Sequence, residues 1–221
     1  GSTYLKANVE VDFVIAITRE SASFPLRMTG EIIPSLVAGK ENRLYRKPVG
    51  VVSVIGPFNF PMYLAQRSIA PALATGNGVV LKPDSQTPIT GATIIAKIFE
   101  EAGIPKGLLN VVVPNRKEVG DILMEHPIPR VISFTGSTGV GRHIGEICGR
   151  LIKKPILELG GNNALLVLED ANIDRAVNSA LFGKFLHNGQ ICMSLNRIVV
   201  HEKLYDEFVE KYVTLAQKIK V

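Results

Sequence analysis

The chain has no tryptophan, 6% aromatic residues and two cysteines among its 221 residues. Cys148 and Cys192 stand far apart with no C-x-x-C spacing, which argues against a disulfide framework and a thiolate zinc site. No apolar run approaches the roughly twenty residues of a membrane-spanning helix. The first residues show no signal-peptide pattern. Basic runs are also scarce. Lys153-Lys154 and the Arg43 to Lys47 stretch are short and lack interleaved aromatics, so the net charge of +5 does not describe a nucleic-acid surface. It does permit a phosphate-bearing ligand. The reading these absences leave is a globular, cytoplasmic protein with no membrane or nucleic-acid partner and no metal.

What is present is a 46% apolar chain, long enough to bury a full core in one or two domains. Leu5, Val9, Phe13 and Ala16 recur at helical spacing and predict a helix from Tyr4 to Glu20, extending toward Arg27. Two extended runs around Ala38-Gly39-Lys40-Glu41 predict a hairpin over 31–47. Strand and helix then alternate. Strands are expected at 51–55, 79–81, 109–113, 130–134 and 155–159, and helices at 62–74, 87–102, 118–125 and 139–151. Pro71 should kink the first of these helices. A fresh unit follows Gly161, with strands at 164–167 and 197–200 and helices at 173–186 and 204–219. This alternation predicts an α/β fold, a parallel sheet with helices on both faces.

Three segments at strand-to-helix junctions are candidates for binding. Asn59 in Pro57-Phe58-Asn59-Phe60-Pro61 is either part of a rigid turn or a pre-positioned amide donor. Lys82, in Lys82-Pro83-Asp84-Ser85, is either a surface cation or a point charge for ribose or phosphate. The run Phe134 to Gly141 is either a structural turn or a cradle whose N–H groups face a pyrophosphate, although its spacing is not GxGxxG. Further on, Cys192 in Gly189-Gln190-Ile191-Cys192-Met193-Ser194 is either a buried structural thiol or a reachable nucleophile. Glu158, opening the Glu158-Leu159-Gly160-Gly161 turn, is a candidate mobile base.

In this order, Pro57-Phe58-Asn59-Phe60-Pro61, Leu81-Lys82-Pro83, Phe134-Thr135-Gly136-Ser137-Thr138, Glu158-Leu159-Gly160-Gly161 and Gly189-Gln190-Ile191-Cys192 closely resemble the aldehyde dehydrogenase superfamily. The resemblance runs over essentially the whole chain. It implies NAD- or NADP-dependent oxidation of an aldehyde to a carboxylic acid. Cys192 would be the nucleophile and Glu158 the base that activates the hydrolytic water. The Asn59 amide and the Cys192 N–H would hold the oxyanion. Cofactor contacts would fall to Ile55, Pro57, Phe58, Asn59, Lys82, Asp84, Ser85, Gly120, Phe134, Thr135, Gly136, Ser137, Thr138, Gly139, Val140, Gly141, Leu159 and Gly160. His187 is close to the thiol but reads as structural.

The resemblance also divides the chain. It implies a cofactor-domain helix over 1–30, an oligomerisation hairpin over 31–47, a Rossmann-like NAD(P)-binding domain over 48–160 and the start of an α/β catalytic domain from 161. A homodimer or homotetramer is expected for the complete enzyme. Two departures bear on specificity. Ser85 stands where many NAD-preferring relatives carry Glu, which admits NADP, while Asp84 next to it restores some repulsion and leaves the preference open. Asn162-Asn163-Ala164 stands where Lys-Ser-Pro or Lys-Asn-Pro is more usual and, with 81–88, is similar to benzaldehyde and vanillin dehydrogenases. Family members are about twice as long, and the later Glu-x-Phe-Gly-Pro segment is not found here. A catalytically inactive nucleotide-binding fragment is therefore the alternative expectation.

Overall fold

The computed structural model describes residues 2–113 and 119–220. They fall into two compact units, one of Tyr4–Glu158 and one beginning at Leu159.

The first unit opens on α1 (Tyr4–Ala22) and the short α2 (Phe24–Arg27), followed by the antiparallel hairpin β1 (Glu31–Pro34) and β2 (Glu41–Leu44). Its centre is a parallel sheet of β3 (Val51–Ile55), β4 (Gly78–Lys82), β5 (Leu109–Val111), β6 (Pro129–Thr135) and β7 (Lys154–Glu158). The strand order is β5-β4-β3-β6-β7. The chain therefore builds outward from β3 in one direction, then returns and builds in the other. Between β3 and β6 the order reverses, and at such a switch point the crevice outside the strands' carboxyl ends stays open.

The helices between the strands are α3 (Pro61–Ala74), α4 (Ile94–Glu101), α5 (Ile122–Glu125) and α6 (Thr138–Leu151). The central strands β3, β4 and β6 are largely buried because they are mostly apolar runs that need cover on both faces, while the edge strand β7 is exposed. Val52, Val54, Val79, Leu81 and Val131 pack with Ala65 and Ile69 of α3 and Ile95 of α4. Alternation along β6 sends Ser133 to a hydrogen bond with Ser68 of α3 at 2.8 Å, while Ile132 and Phe134 point to the opposite face. The expected strands and helices are found, most with bounds shifted by one or two residues. The segment expected from Glu118 starts outside the described residues.

Two local expectations change. The helix expected from Thr87 opens on a π-helical turn, Ile89–Thr93, before α4. There Gly91 is pressed so close to α3 that a Cβ would lie 3.2 Å from Pro61 Cβ and 3.5 Å from Pro83 Cβ. The second change concerns α1. Its apolar stripe is turned outward, with Leu5 73% exposed and Phe13 47% exposed, while Lys6 and Glu10 are buried. The reason lies at α3. That helix starts at Phe60-Pro61 with no side-chain cap of its own. Glu10 Oε1 accepts from the Met62 and Tyr63 N–H groups at 2.8 and 3.1 Å, and Lys6 pairs with Glu10 and lies over the Phe60 ring. Orphan N–H groups at a helix start attract a carboxylate strongly enough to draw this polar face inward.

The second unit pairs β8 (Asn163–Val167) in parallel with β9 (Leu195–Val200) and adds α7 (Ile173–Phe185) and α8 (Tyr205–Ala216). Its core is Val167, Val177, Ala180 and Phe208, with Leu165, Ile198 and Val200 packed against them. Phe182, Phe185 and Val213 remain exposed on its helices.

Candidate functional site

In the first unit four of the singled-out segments meet at the carboxyl edge of one sheet. The register aligns Ile55 with Lys82 and Phe134, and Thr135 with Glu158. Neighbouring strands in a ladder lie about 4.8 Å apart, so the chain segments leaving these four ends are side by side. Two backbone bonds tie them together: Gly56 N–H to the Lys82 carbonyl at 2.9 Å, and Gly136 N–H to the Glu158 carbonyl at 3.0 Å.

The turn after β3 carries Pro57 buried, Phe58 exposed and Asn59 half-buried. The Asn59 Oδ1 accepts from the Phe60 N–H at 2.9 Å, which orients the carboxamide. After β4, Lys82 lies half-buried with Nζ 3.4 Å from the Pro83 carbonyl. Asp84 is engaged locally: its carboxylate accepts the Gln86 N–H at 2.9 Å, a turn that leaves Ser85 exposed.

The loop after β6 is built around one close approach. A Cβ on Gly136 would lie 2.4 Å from Phe134 Cζ, so the buried Phe134 ring requires glycine there. Ser137 then caps α6, its Oγ accepting from the Val140 N–H, and Thr138, Gly139 and Val140 are exposed at the helix start while Gly141 is buried. The N-terminus of a fourteen-residue helix presents a partial positive charge, suited to a phosphate. Gly120, at φ +43°, precedes Asp121, whose carboxylate lies 2.9 Å from His143 Nε2 of α6. Glu158 ends β7 with its side chain half-exposed and 4.0 Å from the Arg67 guanidinium of α3.

A cavity of about 360 Å³, lined by residues including Arg46, Lys47, Thr75 and Asn77, lies instead toward the amino ends of β3 and β4. Among the described residues no group of His, Cys, Asp and Glu could hold a metal ion.

The second unit carries Leu159, Gly160 and Cys192. Ser194 N–H bonds to the Ile191 carbonyl at 3.0 Å, which places Cys192 and Met193 at the centre of a β-turn. Cys192 is half-buried. The approach to this turn is strained: His187 and Asn188 have φ of 52° and 57°, and Gly189 follows at 72°. Only glycine visits that region freely, and each other residue there costs on the order of 1 kcal/mol. The turn also meets the Gly160-Gly161 segment, where a Cβ on Gly161 would lie 2.5 Å from the Cys192 carbonyl oxygen. Asn163 Nδ2 donates to the carbonyls of Cys192 and Ser194 at 2.7 and 3.2 Å.

Sequence reasoning missed Glu10, Arg67 and the clamp made by Asn163. Of these, Glu10 left a signal, its i,i+4 charge pair with Lys6 inside a helix otherwise read from its apolar stripe.

Comparison with known proteins agrees with this layout. The benzaldehyde dehydrogenase of Bacillus subtilis is 60% identical over 221 residues, covering 100% of this chain and 46% of its own length. The vanillin dehydrogenase of Corynebacterium glutamicum is 54% identical, over 99% of this chain and 46% of that protein. Among solved structures, an NAD-dependent benzaldehyde dehydrogenase from Corynebacterium glutamicum superposes with a TM-score of 0.92 at 53% identity, covering 99% of this chain and 48% of that one. Betaine aldehyde dehydrogenase from Staphylococcus aureus, solved in complex with NAD+, superposes with a TM-score of 0.96 at 35% identity, covering 100% and 43%. The chain thus spans just under half the length of these relatives. The sequence profile described as the aldehyde dehydrogenase family matches residues 1–221, and with the parallel sheet, its open carboxyl edge and the cysteine turn in place, this chain belongs to that family.

Proposed function

We propose that this chain supplies the cofactor-binding unit and the nucleophile turn of an enzyme that oxidises an aldehyde, aromatic in kind, to its carboxylic acid with NAD or NADP. The observation that carries the reading is the gathering of Ile55–Asn59, Lys82–Ser85, Phe134–Gly141 and Glu158 along one carboxyl sheet edge, beside the reversal of strand order. The names of the benzaldehyde and vanillin dehydrogenases support the aromatic substrate.

The residues present fit a dinucleotide. Gly136 leaves the backbone bare where a side chain would collide with Phe134, and the N-terminus of α6 follows directly. Those N–H groups would hold the diphosphate and Lys82 the adenosine ribose. Ser85 carries no charge to repel a 2′-phosphate, while the neighbouring Asp84 carboxylate, which accepts the Gln86 N–H, opposes one, so neither cofactor is singled out. When bound, the nicotinamide supplies a hydride acceptor.

Cys192 Sγ, having released its proton to solvent, attacks the carbonyl carbon as a thiolate, and a C–S bond forms as the carbonyl π-electrons become an oxyanion. The Cys192 N–H and the Asn59 carboxamide stabilise that charge. Loss of hydride from the same carbon re-forms C=O as a thioester on Cys192. Glu158 then takes a proton from water, whose oxygen displaces the thiolate and releases the acid. Glu158 is half-exposed and held only loosely by Arg67 at 4.0 Å, which suits a base that must move. The hairpin of β1 and β2, exposed along its whole length with Ile32 67% exposed, supports assembly into a homodimer or homotetramer.

The test is aldehyde-dependent formation of reduced cofactor by the full-length enzyme with benzaldehyde. Cys192→Ala is expected to abolish it, and unimpaired turnover by that variant overturns the assignment. The coverage of under half of each relative favours a second reading, a nucleotide-binding piece without turnover. It predicts cofactor binding by calorimetry to this 221-residue chain with no product.

A further inference from the structure

We infer that Asn163 is a positioning residue for Cys192: its carboxamide clamps the β-turn that carries the thiol. The inference rests on Cys192 being the nucleophile. A primary amide has two hydrogens to donate, and here both go to the same turn, one to the Cys192 carbonyl at 2.7 Å and one to the Ser194 carbonyl at 3.2 Å. The turn is closed by its own Ser194 N–H to Ile191 bond at 3.0 Å. Beside the Cys192 carbonyl also lies Gly161, so close that a methyl group there would collide with it. The Cys192–Met193 peptide is therefore fixed by a donor and by steric contact. With it is fixed the ψ angle of Cys192, while the Ser194 N–H bond to the Ile191 carbonyl holds the preceding peptide and so the direction of the Cys192 N–H.

Asn163 reaches this turn from a bulge. It pairs with Leu195, while its neighbour Ala164 pairs with Arg197, so one extra residue is accommodated on β9 at that point. Bulges re-aim side chains in this way next to active sites. A serine could serve only one of the two carbonyls, because a hydroxyl has one hydrogen. The turn is otherwise poorly supported. It follows the left-handed run of His187, Asn188 and Gly189, and the Ser194 hydroxyl is buried without a hydrogen-bond partner. A displacement of about 1 Å at a reacting group costs on the order of a hundredfold in rate, so a clamp on this turn belongs to the chemistry as well as to the fold.

The test compares Asn163→Ala and Asn163→Asp with the parent in the full-length enzyme. Two quantities are read: the rate of Cys192 alkylation by iodoacetamide, with the buried Cys148 as internal reference, and kcat and KM for benzaldehyde. Asn163→Ala is expected to lower kcat at least tenfold with KM within about threefold, and to change the alkylation rate at least fivefold. A variant within twofold of the parent in both kcat and alkylation overturns the clamp. If Asn163→Ala does not fold, Asn163→Asp decides. Its carboxylate repels both carbonyls at neutral pH and regains one donor when protonated, so its kcat relative to the parent should rise in mild acid. A ratio that stays flat with pH overturns the proposal. Turnover that survives Cys192→Ala would overturn the nucleophile assignment alone, since the Asn163 alkylation comparison needs no catalysis.

Discussion

Glu10 does for α3 what that helix's own first residues do not. With Phe60 at the cap position and Pro61 next, the Met62 and Tyr63 N–H groups find their acceptor on another helix, in a carboxylate 6% exposed. Glu10→Ala removes that acceptor and strips Lys6 of its buried carboxylate. It should destabilise the chain by about 3 kcal/mol, the cost of breaking a buried pair from one side. Chemical denaturation of the two proteins measures it. The sequence contained both residues at i,i+4 spacing, yet the bonds that explain them lie more than fifty positions away, beyond any local pattern. Asn163 was legible in the opposite sense. It stood in a segment that departs from the family motif at its neighbours Asn162 and Ala164, but its role came only from the carbonyls it meets. Cys192, Glu158 and Lys82 each admit a plainer reading alone, and it was the order of five motifs together that singled them out.

The β6 loop and α6 act as one element, and glycine at position 136 is their joint. Gly136→Ala would drive a methyl group into the Phe134 ring, which is 7% exposed and has little room to yield. The loop must then shift, and dinucleotide binding should weaken at least tenfold by calorimetry, with far-ultraviolet circular dichroism little changed. Elements of this kind were readable from sequence because the strands are short, mostly apolar runs with Gly or Pro within a few residues of their ends. Their order was not. Nothing in Val51–Ile55 distinguishes a central strand from an edge, and the order β5-β4-β3-β6-β7 comes from packing of helices on both faces. The π-helical turn at Ile89–Thr93 was likewise hidden, since it goes with contact between Gly91 and prolines on two other segments.

For the molecule as a whole, the buried thiol of Cys148 sets a pH dependence. Burial pushes this thiol above its ordinary value, while burial pushes the amine of Lys153 below its own. The native state therefore keeps the Cys148 proton where the unfolded chain gives it up. That contribution to stability is fully present below the ordinary thiol value and is lost as pH rises toward the folded one. Lys153 acts the other way, since its native form sheds a proton earlier, and stability from it rises over its own window. Cys148 is fully buried and Lys153 only partly, so the thiol should dominate from about pH 9 upward. Cys148→Ala should flatten the decline in urea midpoint between neutral and alkaline pH, and an unchanged slope would assign the decline elsewhere.

The left-handed run ahead of Cys192 has a further consequence for how this sequence is free to drift. Asn188 is exposed, and a surface position of that kind ordinarily accepts most residues. Its φ of 57° withdraws that freedom, because a branched side chain such as Val or Ile crowds its own backbone there. Tolerance at this site is thus limited by the shape of the chain itself, leaving asparagine, aspartate and glycine as its natural alphabet beside the thiol.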